Sequence, residues 1–115
     1  MTVNAKIIKA LSFLEIPVTA DFFGGQAKEY ITFNYANEHG RVYADGEPQE
    51  DVASMQVHYF LPVSKDYLEN KRRIRRALLN AGATYPDVTI LTEPDHKTRH
   101  IVFECEFEND YEMEE

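Results

Sequence analysis

Four histidines, a single cysteine, a run of arginines and an acidic C-terminal stretch are the residues of this 115-residue chain best suited to chemistry. His39, His58, His96 and His100 are the metal candidates. They fall in separate loops and strands, and no second cysteine completes a set of the kind zinc takes. His96 and His100 stand four apart, which would align them on a helix, but Lys97-Thr98-Arg99 between them reads as a turn entering a strand. Solvated or strand-face histidines are therefore expected, with no metal and no cofactor. Cys105 and a distant histidine could form a nucleophile pair, the basis of a small-hydrolase reading. Its position favours a structural role, because it alternates with Phe103 and Phe107 where a thiol acts as a small hydrophobe. Glu104, Glu106 and Glu108 fall on the opposite face of that strand, with no apolar pocket evident to raise a carboxyl pKa. Gly24-Gly25 lacks the spacing of a phosphate-binding loop. No catalytic residue is expected, and the chain does not read as an enzyme.

Charge is more informative than any catalytic pattern. Six of the chain's twelve basic residues lie between Lys65 and Arg76, and seven of its twenty acidic residues lie in 104–115. Lys71, Arg72, Arg73, Arg75 and Arg76 spread over the face of a helix opposite Ile74 and Leu78. A solvated helix face would look like this; so would an electrostatic surface that meets an acidic strand of a neighbouring protein. Arg72, Arg73 and Arg76 against Glu104, Glu106 and Glu108 are the candidate interface. A nucleic-acid-binding regulator using the same basic face is the alternative, but no helix-turn-helix pair or stacking platform accompanies it. The net charge of −8 also opposes general affinity for a duplex.

The elements that must position these groups follow from periodicity. Val3, Ile7, Ile8, Leu11 and Leu14 form a helical stripe that Pro17 ends, and Pro17 to Ala20 reads as a short edge strand. Tyr30 to Tyr35 alternates as a strand with Ile31, Phe33 and Tyr35 on one face. The segment from Ala36 to Asp51, with Gly40, Asp45-Gly46 and Pro48, reads as a long exposed acidic connection, extended at most over Arg41 to Ala44. Val52 to Leu61 alternates again, with Met55, Val57, Tyr59 and Leu61 on one face and Gln56, His58 and Phe60 on the other. Pro62 stops it, Ser64 is the expected N-cap of the second helix, and Gly82 supplies its C′ residue after Ala81. Val88 to Thr92 and Arg99 to Glu108 form a closing hairpin turned through Glu93-Pro94-Asp95-His96. The expectation is an α+β fold, in the order α-β-β-β-α-β-β, with two helices on one face of a mainly antiparallel sheet of about five strands. A single domain over 1–108 carries an acidic tail over 109–115, read as frayed. One cysteine, no leader-like segment and no long apolar run point to a soluble, disulfide-free protein that neither spans a membrane nor is exported by a signal peptide.

The strand-proline-helix segment Met55-Gln-Val-His-Tyr-Phe-Leu-Pro62 followed by Tyr67 to Ala81 resembles phage tail terminator or tail-completion proteins. The resemblance extends over the N-terminal helix Ala5 to Leu14, the hairpin with the long acidic loop, and the closing strand Ile101-Val-Phe-Glu-Cys-Glu-Phe107. It is similar above all to short minor structural proteins of prophages in Gram-positive bacteria. The resemblance implies a virion protein assembled in the bacterial cytoplasm. Its copies would form a ring, commonly a hexamer, at the head-proximal end of the tail, between the tail tube protein and the head-tail connector. It transfers no functional residue by position. A ring needs contacts in which one surface meets a different surface of the next copy, and the segregated charges supply such a pair. Phe60 and Tyr30, opposite the inferred core face, are the apolar candidates.

Overall fold

The computed structural model describes residues 1–44 and 46–108. Helix α1, Val3–Leu11, starts where the Thr2 hydroxyl accepts from the Ala5 amide at 3.1 Å. It tightens into a 3-10 turn over Ser12–Leu14 and ends at Glu15, whose left-handed φ of 57° breaks the spiral before Pro17 is reached. Strand β1, Val18–Ala20, runs parallel to β2, Tyr30–Ala44. β3 is Glu47–Pro62, α2 is Leu68–Asn80, β4 is Asp87–Thr92 and β5 is Thr98–Glu108. The sheet has the order β1-β2-β3-β5-β4, antiparallel at every pairing except β1 with β2.

Both helices lie on one face of this sheet, as the alternation predicts. Val3, Ile7 and Leu11 of α1 and Ile74 and Leu78 of α2 close over Ile31, Phe33, Met55, Val57, Tyr59, Leu61, Ile101, Phe103, Cys105 and Phe107. Each of these sides of a strand is apolar at every second residue, so burial of one face fixes the register. Ile8 and Tyr35, read as core-facing, are instead 45% and 40% exposed. Ile8 lies off the contact line of α1, between the buried Ile7 and Leu11.

Two sequence readings are corrected. The segment from Ala36 to Asp51 is no loose connection: β2 and β3 stay paired past a bulge at Ala36, from Asn37 opposite Ser54 out to Ala44 opposite Glu47. The result is a two-stranded arm, which makes the molecule 54 Å long and only 26 by 24 Å across. Arg41 and Glu50 face each other on it at 3.1 Å, and Gly46 takes a φ of 77° at its turn. None of the arm's described side chains is buried, which removes the pressure for apolar alternation, so the periodic signal is absent although the strands are there.

The second correction is at α2. Ser64 is used up in a tight turn in which Lys65 N donates to Pro62 O at 3.0 Å, and the helix begins at Leu68, whose amide donates to Asp66 Oδ1 at 2.9 Å. Its far end follows expectation. Gly82, at φ 109°, allows the amides of Ala83 and Gly82 to reach the carbonyls of Leu78 and Leu79 at 3.1 and 3.0 Å. The acidic tail from 109 lies outside the described residues.

Candidate interaction surfaces

The sheet face opposite the helices carries the outward side chains of every strand. Tyr30, Phe60 and His100 stand in one row across β2, β3 and β5, since Tyr30 is opposite Phe60 and Phe60 opposite His100. Phe23 from the preceding loop joins them, and the ring centroids follow at 4.5, 4.8 and 4.2 Å, nearly parallel. Gly25 makes room for this: a Cβ there would stand 2.5 Å from the Phe23 ring. The faces of Tyr30 and Phe60 are covered by their neighbours in the stack, so this row offers ring edges to a partner and not the open faces on which nucleic-acid bases stack.

Alongside the aromatic row runs a chain of polar contacts that sequence reasoning missed. His58 Nε2 lies 2.9 Å from Asn34 Oδ1, His58 Nδ1 lies 2.8 Å from His100 Nε2, and His100 Nδ1 lies 3.2 Å from Glu93 Oε2. Burial pushes the His58 pKa down, the neighbouring His100 adds to this, and Glu104 opposes it. The folded state thus binds a proton at His58 less readily than the unfolded chain, so stability rises with pH across the window below the ordinary histidine value of 6.5. Urea unfolding should show a lower midpoint at about pH 5.5 than at about pH 7.5, and His58→Gln should flatten that difference. An equal slope in the variant would assign the dependence elsewhere.

Two rows further along the same face, Glu104 accepts from Gln56 Nε2 at 3.3 Å and Glu106 from Ser54 Oγ at 3.5 Å, with Glu108 beyond them. The sheet face is therefore aromatic at one end and acidic at the other. Between Glu104 and Glu106, Cys105 points into the core as read from the sequence, and burial pushes its thiol up to about 12, with Glu106 adding to the shift. A thiol reagent should leave Cys105 unmodified in the native protein and modify it fully in denaturant; rapid stoichiometric labelling without denaturant would refute this placement.

The basic surface lies on the helical layer, away from these carboxylates. Arg72, Arg73 and Arg76 are exposed on α2. Arg73 sits over the Phe13 ring with its guanidinium carbon 4.7 Å from the centroid. Arg75 turns aside: it donates through Nη2 and Nε to Pro86 O at 2.7 and 3.0 Å and covers Tyr85 at 4.2 Å, pinning the loop after α2. The candidate residues thus form two patches on opposite layers of one subunit: Tyr30 and Phe60 with Glu104, Glu106 and Glu108 on the sheet, and Arg72, Arg73 and Arg76 on the helices. Among the described residues no three histidine, cysteine or acidic side chains stand together as a metal cluster, and no helix is long and apolar enough to cross a membrane. His39 and His96 lie apart from the His58–His100 pair, His39 on the arm beside Asn37 and His96 in the β4–β5 turn.

No protein-family model and no curated protein matches this chain. Among solved structures it is similar to a chain of one described as "Virion of native gene transfer agent (GTA) particle", with a TM-score of 0.62, 10% sequence identity and 94% of each chain covered. At that identity the likeness establishes a shared fold.

Proposed function

We propose that this chain is a structural subunit of a phage-like virion, acting as a tail terminator or tail-completion protein that joins copies of itself into a ring at the head-proximal end of the tail. It works by shape and self-association, with no catalysis and no cofactor. Its partners are further copies of the chain, commonly six, together with the tail tube protein and the head-tail connector.

The observation that carries this reading is the separation of charge onto opposite layers. Arg72, Arg73 and Arg76 project from α2, while Glu104, Glu106 and Glu108 project from the far side of the sheet, so a contact between copies that matches them must be head to tail. A contact of that kind propagates in one direction and closes into a ring when its rotation allows. The Tyr30–Phe60–His100 row supplies apolar area on the same sheet face, which exposed ion pairs alone do not. The shared fold with a chain of a gene transfer agent virion, over nearly the whole length of both, supports placing this subunit in a particle of that type.

Incubation with isolated tail tubes followed by negative-stain microscopy tests it: the protein should cap one end of each tube. Binding along tube walls, or none, would count against a terminator. Titration with duplex DNA separates the nucleic-acid reading, which requires tight binding that falls steeply with salt.

A further inference from the structure

Phe22 is the most exposed large apolar side chain among the described residues, at 77%. A single apolar group in water is ordinary, but this one is held in place. Asp21 before it takes a left-handed φ of 66°, and the turn is tied down on both sides of the ring. Asp21 N donates to Phe33 O at 2.8 Å, Phe22 N to Ala20 O at 2.7 Å, and Thr19 Oγ1 to Phe22 O at 3.1 Å. Gly24 leaves space for the ring, since a Cβ there would stand 3.2 Å from Phe22 Cε2. An aromatic ring presented on a fixed backbone gives up little freedom when it docks, which is what an anchor at a protein–protein contact requires.

The helical layer carries a hollow that suits such a ring. It lies between α1 and α2, encloses about 460 Å³, and is lined by Ala10, Ala77 and Ala81 with Lys6 and Lys9 beside them. The three alanines pack on the core with their short side chains, which leaves apolar depth at the helix crossing. Asp21 offers a carboxylate next to Phe22, and neither it nor Lys6 nor Lys9 enters the ion pairs of the described residues. Knob and hollow thus match in shape and in charge, yet within one subunit Phe22 stays exposed.

Their spacing also fits the contact already drawn between the acidic sheet face and α2. Ala20 lies opposite Phe33, which sets Asp21 level with Asn34; Asn34 is opposite Gln56, and Gln56 opposite Glu104. Three strand spacings, about 14 Å, therefore separate the Phe22 turn from Glu104. On α2, Arg73 and Ala81 are eight residues apart, about 12 Å along the axis, and the hollow lined by Arg72, Arg73 and Arg76 adjoins the first one through Ala77. A neighbour whose Glu104 meets Arg73 can bring its Phe22 to the alanines.

We propose that Phe22 of one copy seats in the alanine-lined hollow between α1 and α2 of the next, with Asp21 beside Lys6 and Lys9. The contact rests on the ring reading and supplies it with an apolar anchor alongside the arginine–glutamate pairs. It joins two different surfaces of the same chain, so it runs head to tail in the same sense.

A photoreactive benzophenone side chain in place of Phe22, in the full chain, tests the seating. Mixed with isotope-labelled native chains at high concentration, and again with tail tubes present, it should form cross-links between chains that map to α1 and α2 around Ala10, Ala77 and Ala81. Phe22→Ala should weaken self-association about 10- to 30-fold and leave the unfolding midpoint where it is, because the ring is exposed in its own subunit. A native chain that associates without cross-links in the hollow, or a Phe22→Ala variant that associates like it, would overturn the anchor and leave the ring standing. Cross-links to the tail tube protein in place of a second copy would overturn the choice of partner. A native chain that stays monomeric under both conditions would overturn ring and anchor together.

Discussion

Ile74→Asp is expected to destabilise the domain by roughly 3–5 kcal/mol, a large part of the 5–15 kcal/mol that holds a typical small domain together. Ile74 is fully buried on the core side of α2, among Leu78 and the inward side chains of the sheet. The substitution removes the packing of a branched side chain and leaves a carboxylate with no partner in an apolar layer, two penalties that add. Urea or thermal unfolding checks it, and the melting temperature should fall by about 15 °C or more. Ile74→Val should cost only about 0.5–1.5 kcal/mol, since it trims one methylene and introduces no charge. Arg72→Ala, on the exposed side of the same helix, should stay within about 0.5 kcal/mol of the native protein. Native-like melting of Ile74→Asp would mean that α2 packs on a different face.

The same contrast explains what could be read from the sequence. Met55, Val57, Tyr59 and Leu61 announce their strand because one face is buried and the other is wet, and the inward position of Cys105 follows from the same alternation two strands away. None of the described side chains between Asn37 and Asp51 is buried, so nothing in their order distinguishes a ribbon from a loop; the pairing is carried by hydrogen bonds and by Arg41 opposite Glu50. Outward parity was visible for His58 and His100 separately. Their contact depends on β3 lying beside β5 in a register that sets Phe60 opposite His100, which is a tertiary fact. Tyr59 is a similar case. Its core face was legible, but its hydroxyl also reaches Glu29 and accepts from Asn70 Nδ2 at 2.9 Å, tying the segment before β2 to α2. Burial, with the Glu29 contact second, pushes the Tyr59 pKa up, so the ring stays a neutral donor over the ordinary pH range. The arginine run was legible as composition. Only the position of α1 beside α2 turns it into one wall of a hollow that Phe13 and Tyr85 also line.

Reversal of two of those arginines should have the largest effect on assembly. Arg72→Glu with Arg76→Glu is expected to weaken self-association by about 10- to 100-fold per contact, because two or three exposed ion pairs at up to about 1 kcal/mol each are replaced by repulsion. The unfolding midpoint should hardly move. Both side chains are exposed, and the spacing of four keeps a like-charge pair on the helix before and after the change. Sedimentation or light scattering at high protein concentration, and again with tail tubes present, gives the readout. Added salt should weaken association of the native protein without abolishing it, since the Tyr30–Phe60–His100 row contributes apolar area that screening does not touch. The charge swap is the stronger test. Glu104→Arg with Glu106→Arg on one population of chains should restore contact with the doubly reversed population, and neither variant should associate well with itself. A double reversal that associates like the native chain, or a swap that restores nothing, would remove the α2-to-sheet contact from the proposed ring.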